Sequence, residues 1–193
     1  MLVDPRPWRE RAEDLVLAAV GCWETAVKGM KTMSLSGRPG LHGATLFRQS
    51  GPFYLLAGMA LECHFKALHV QEKHGYWGGY VIGALPNPSL PADWRGHNLE
   101  RLASAAGVTL SSDETAFVRR SQEMLIWRGR YPLPTRPGYI KKAGDLRSFG
   151  LNTGHMRRLR SIIGKIDERF EELIEQARVA QDGLPRQSSG QMS

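Results

Sequence analysis

The residues of this chain best suited to chemistry sit in one stretch, Ile126-Trp127-Arg128-Gly129-Arg130-Tyr131-Pro132. Pro132 disfavours helical geometry at Tyr131 and donates no backbone hydrogen bond, so a helix arriving from upstream should stop here. Two guanidiniums at a helix end, flanked by a Trp and a Tyr, suit phosphate groups and stacked bases. Arg128 and Arg130 would leave different sides of an unbroken helix, and Gly129 supplies the break that lets both reach one anion. A plainer reading makes Trp127 and Tyr131 core aromatics and the arginines solvated. Outside this stretch, His97 has an imidazole suited to proton transfer near neutral pH. Placed beside a helix N-cap, it could equally donate to a nearby carbonyl and fix the turn. Glu62 and Lys66 stand four apart in the favourable helical order. They form either a polar pair inside the bundle, facing Arg130, or a solvent-facing pair worth under ~0.5 kcal/mol.

Charge is unevenly spread. The chain of 193 residues carries a formal net charge of +7. From Arg119 to Arg160 there are eleven basic residues against two acids, Glu123 and Asp145, a local net of +9 that leaves the remainder slightly acidic. Such asymmetry points to an anionic partner, most often nucleic acid, although a solvated face with no ligand is the alternative. Arg157, Arg158 and Arg160 belong to this group and fall in the first turns of a helix, where positive charge opposes the helix dipole. They are secondary phosphate-binding candidates.

The elements that must position these residues read as helices. Arg9 to about Met30 places Leu15, Ala19, Cys22, Ala26 and Met30 on one face. Gly37-Arg38-Pro39-Gly40 interrupts the pattern, and Gly51-Pro52 puts Pro in the permitted first turn of a second helix, about Phe53 to Lys73. Its buried side should hold Phe53, Ala57, Ala60, Leu61, His64 or Phe65, and Leu68. Asn98 caps a short helix to Ala106, ended by Gly107, and Ser111 with Glu114 forms a capping box for the helix that reaches Trp127. About Thr153 to Gln181 aligns Met156, Leu159, Ile163, Ile166, Phe170, Leu173, Ile174 and Ala177. Two long connections, 75–96 and 133–150, are rich in Gly and Pro. The fold expected is all-α: an antiparallel bundle of about five helices in one domain over 1–182, followed by a disordered tail over 183–193.

Composition excludes several classes. No run of about 18 apolar residues is present, so no membrane span is expected. The N-terminal residues carry charges and prolines where a signal peptide would be apolar, and Cys22 and Cys63 read as buried free thiols, consistent with a cytoplasmic location. Neither cysteine has a CxxC partner and the histidines show no ligand spacing, so no metal is expected. No Walker A, GxGxxG, GxSxG or HExxH pattern occurs, and no cofactor is implied.

Three segments, in order, resemble the HEPN domain family of prokaryotic nucleotidyltransferase-associated, toxin and antiphage proteins. Ala57-Gly58-Met59-Ala60-Leu61-Glu62-Cys63-His64-Phe65-Lys66-Ala67-Leu68 is similar to the family's second helix. Gly96-His97-Asn98-Leu99-Glu100-Arg101-Leu102 resembles its His-Asp-Leu-x-x-Leu helix start, with Asn98 for Asp. Arg130-Tyr131-Pro132 matches the Arg-Tyr-Pro that ends a helix in one branch. The resemblance implies a helical bundle, homodimerisation, and a role in RNA cleavage, RNA or nucleotide binding, or complex assembly. It also places Glu62 and Lys66 inward.

Ribonucleolytic members carry Arg, a gap of four to six residues, then His. No His follows Arg128 or Arg130 at that distance, and His155 lies eight beyond Arg147. The leading expectation is therefore an RNA- or nucleotide-binding HEPN-like protein, in a toxin–antitoxin or antiphage setting. The alternatives are a diverged ribonuclease using Arg130 with His97 or Tyr131, or an interaction module for a protein encoded nearby, such as a nucleotidyltransferase.

Overall fold

The computed structural model describes residues 4–36, 41–74, 96–128 and 153–182. Five helices account for most of them: α1 (Arg6–Ser36), α2 (Leu41–His74), α3 (Leu99–Ala105), α4 (Ser112–Glu123) and α5 (Thr153–Asp182). α4 continues into a π-helical turn, Met124–Arg128. No strand occurs among the described residues. The all-α bundle expected from the hydrophobic spacing is the fold observed.

Helix boundaries follow local chemistry. Asn98 caps α3 by accepting from the Arg101 amide at 3.0 Å. Gly107, at φ +70°, ends that helix; its amide and that of Val108 bond back to Ser104 and Ala103, at 3.1 and 2.9 Å. This paired closure requires a left-handed residue, which glycine adopts without a Cβ penalty. The capping box at α4 is complete, the Ser111 amide donating to Glu114 at 2.7 Å and the Glu114 amide to Ser111 at 3.3 Å.

Three expectations are corrected. α1 runs Arg6–Ser36, longer than Arg9 to Met30. Pro52 does not open α2 but lies inside it. Pro52 removes one backbone hydrogen bond of the helix, and α1 packs on α2. In α5, Ile162 is fully buried and Ile163 only partly, so the stripe runs Met156, Leu159, Ile162, Ile166, Phe170, Leu173. The spacing 3-4-4-3 after Leu159 keeps those side chains on one side. The tail over 183–193 lies outside the described residues.

α2 is the centre. Trp8 of α1 lies beside Lys66, with the ammonium 5.4 Å from the ring. α5 runs parallel to α2, with Tyr54 meeting His155 at one end and Glu72 meeting Arg169 at the other. α4 runs antiparallel to both, joined to α5 by Glu114, which is buried and accepts from Lys165 at 2.6 Å and Ser161 at 2.8 Å. Burial pushes the Glu114 carboxyl up, but hydrogen bonds from Lys165, Ser111 and Ser161 outweigh it and hold the group at about 2. α4 and the π-helical turn pack close against α2 at Gly58, where a Cβ would lie 3.0 Å from the Ser121 carbonyl oxygen and 3.2 Å from Leu125 Cδ1.

Gly58→Ala is expected to force α2 and α4 apart, because its methyl group meets backbone rather than a flexible side-chain end. The loss should be about 2 kcal/mol, measured as a lower urea midpoint with unchanged helix content at zero denaturant.

Candidate functional site

Two polar clusters sit on α2. The first joins Glu62 and Lys66, a pair that helical spacing predicts, with His97, whose place in it the spacing does not predict. Glu62 and Lys66 are buried, and the Lys66 ammonium donates to Glu62 Oε1. Of the two arrangements open for this pair, the inward one is observed and the solvent-facing one is not. The inward partners are Lys66 and His97 on the two carboxylate oxygens of Glu62, and the Trp8 ring of α1 beside the Lys66 ammonium. Arg130, the residue they were expected to face, lies outside the described residues.

His97 reaches the same carboxylate from the start of α3, with Nδ1 2.8 Å from Glu62 Oε2. It bonds a carboxylate, not a neighbouring carbonyl, so the turn-fixing alternative is corrected in its acceptor. α3 is held in place by the Leu99 amide, which donates to Gln122 of α4 at 2.7 Å. A carboxylate only accepts, so Nδ1 carries a proton, and in the neutral form of the ring Nε2 is the acceptor. The His97 side chain is 39% exposed, so this nitrogen is within reach of solvent. A carboxylate-oriented imidazole of this kind is competent as a general base.

The second cluster joins Tyr54, Arg120 and His155. The Tyr54 hydroxyl is 3.0 Å from His155 Nδ1, and Arg120 Nη1 lies 3.3 Å from that hydroxyl and 3.4 Å from His155 Nε2. Arginine only donates, so Nε2 accepts and Nδ1 donates to the tyrosine oxygen. The ring stacks on Phe117 at 6.3 Å between centroids. Burial, then the charges of Arg120 and Arg158, push the His155 imidazole down to about 4. Burial also raises the Tyr54 phenol. No sequence spacing signals this group, because Tyr54 and His155 lie 101 positions apart.

The phosphate-binding candidates divide. Trp127 and Arg128 lie in the π-turn, with side chains outside the described set, and Arg130 and Tyr131 lie wholly outside it. Arg158 is bridged to Asp113 at 2.7 Å and Arg119 to Glu100 at 2.7 Å, so part of the basic stretch is locally neutralised. Arg157 and Arg160 are exposed. Because α4 and α5 are antiparallel, the end of the π-turn and the start of α5 share one end of the bundle, beside Tyr54. The two ends of the basic segment therefore converge.

Among the described residues no group of three or more His, Cys, Asp or Glu gathers to hold a metal, and no helix is long and apolar enough to cross a membrane. Cys22 and Cys63 are unbonded and half-buried.

Lys66→Met should cost about 3 kcal/mol by leaving Glu62 charged and buried, and adding Glu62→Gln should recover most of it; equilibrium urea unfolding of both variants checks this. A second outcome concerns pH. His64 is buried without a hydrogen bond at either ring nitrogen among the described residues, and burial followed by the Arg9 charge lowers it to about 4. His64 and His155 thus take up protons on unfolding between their folded values, about 4 each, and the ordinary 6.5. Their stabilisation is present above pH 6.5 and is lost as pH falls toward 4. His64→Leu should flatten that decline in thermal melts and raise stability at neutral pH.

Compared with known proteins, the chain matches no family model, no curated protein and no solved structure at a significant level.

Proposed function

We propose that this protein is a HEPN-like RNA- or nucleotide-binding protein, in which the basic 119–160 segment contacts phosphate. The carrying observation is the concentration of a net +9 in that segment, whose described ends meet at one end of the bundle. Arg157 and Arg160 are exposed there, and Arg128 ends the π-turn that leads into Arg130 and Tyr131. Phosphate contacts of this kind carry affinity and orientation without reading sequence. The HEPN resemblance adds support through its own segments: the helix with Glu62 and Lys66 and the helix start with His97 are joined by the 2.8 Å His97–Glu62 contact.

One observation favours a second reading, ribonuclease activity. His97 is oriented through Nδ1 by a buried carboxylate, and in the neutral form of the ring its Nε2 could take a proton from a ribose hydroxyl. It would act with Arg130 or Tyr131 in the role the Arg-x4-6-His motif fills elsewhere. Toxin–antitoxin or antiphage roles, and a nucleotidyltransferase partner encoded nearby, follow from the resemblance alone.

Fluorescence polarisation of labelled single-stranded RNA across a salt series separates these readings. Wild type should bind, with affinity falling as salt rises. Arg128→Ala/Arg130→Ala should weaken binding and lower the slope of log affinity against log salt by about 1.4 for two lost phosphate contacts. Intact RNA on a gel of the same samples supports binding alone. Shortened RNA that stays intact with His97→Ala supports the nuclease. No wild-type binding at low salt overturns both and leaves a protein partner.

A further inference from the structure

Tyr54, Arg120 and His155 bring three helices together at the basic end of the bundle. Tyr54 is fully buried on α2, and His155 is buried in the first turn of α5. Arg120 of α4 is the one of the three that is partly exposed.

Other arginines of the basic stretch are held differently. Arg119 donates to Glu100 and Arg158 to Asp113, carboxylates that cancel the charge they bind. The Tyr54 hydroxyl and His155 Nε2 accept from Arg120 Nη1 at 3.3 and 3.4 Å and bring no charge of their own. The guanidinium carbon also lies 5.5 Å from the centroid of the Tyr54 ring. With His155 held at about 4, its ring stays a neutral acceptor at pH 7. These two partners therefore place the guanidinium without weakening its attraction for an anion. An exposed arginine such as Arg157 or Arg160 loses rotamer freedom when it grips a phosphate. For Arg120 part of that loss already occurs when the bundle folds. Arg157 and Arg160 stand two and five positions beyond His155, so by helical spacing they leave the opposite side of α5. A contact from Arg120 would be additional to theirs.

We propose that Arg120 is a phosphate-contacting residue of the basic end, and that Tyr54 and His155 are positioning residues that hold its guanidinium for the ligand. This rests on the reading that the chain binds single-stranded RNA through phosphate. The full chain, titrated into labelled single-stranded RNA at pH 7 across a salt series, tests it. Arg120→Gln should lower the slope of log affinity against log salt by about 0.7, the value of one phosphate contact on a single strand. Arg178→Gln removes the same charge toward the far end of α5 and should leave the slope unchanged. Tyr54→Phe and His155→Leu alter no charge at pH 7, yet each should lower the slope toward that of Arg120→Gln. His155→Gln keeps an acceptor and should retain the wild-type slope. Tyr54→Phe added to Arg120→Gln should lower it no further, because the two act through one contact. Circular dichroism should show unchanged helix content throughout. A wild type that binds while Arg120→Gln keeps its slope overturns the proposal and leaves the RNA reading standing. So does an equal loss in Arg178→Gln, which would make the effect one of net charge. Unchanged slopes in Tyr54→Phe and His155→Leu overturn the positioning role. A wild type that binds no RNA overturns the RNA reading, and the proposal with it.

Discussion

Between Phe53 and Val70, α2 contains so few polar side chains that water cannot be its surroundings, and α1, α3, α4 and α5 all pack on it. Phe53, Tyr54, Leu61, Phe65 and Leu68 are fully excluded from solvent and form the largest block of the core. Apolar burial of this kind is non-directional. Its geometry is set by particular residues: Gly58, which lets the α4 backbone touch α2, and Glu114, which ties the start of α4 to the middle of α5.

Placing a Glu and a Lys inside that helix carries a desolvation penalty, which their mutual contact and added hydrogen bonds must offset. Here the carboxylate uses both oxygens, one for Lys66 and one for His97, while the ammonium also lies over the Trp8 ring. His97 is the member of the group nearest to water. Among the described residues, the buried charge pair is linked toward the surface by the His97 imidazole, which precedes α3 and its anchor on Gln122.

Electrostatics at the other cluster run differently. His155 and Tyr54 are neutral at physiological pH because burial disfavours their charged forms. Arg120 can then share its hydrogens between them. Around this neutral group, Asp113 and Glu100 each take one arginine of the basic stretch, which leaves Arg157 and Arg160 as exposed cations on α5. The formal charge of the segment overstates the field it presents, since carboxylates outside the segment fold back onto it.

Local patterns determined much of this protein. Asn98, Gly107 and the Ser111–Glu114 box mark helix ends because each satisfies backbone groups within a few residues of itself. The apolar spacing of α5 marks its buried stripe for the same local reason, except that packing buries Ile162 in place of Ile163, and Glu62 and Lys66 are neighbours by helical geometry alone. Only the tertiary structure decided that this pair points inward, that His97 completes it across 35 positions, and that Tyr54, Arg120 and His155 meet. Pro52 inside α2 and the π-turn after Glu123 belong with these, being outcomes of packing that override local preference. Short-range hydrogen bonds and periodicity are written into neighbouring residues, whereas burial and long-range contact depend on which helix faces which, and that exists only once the bundle has formed.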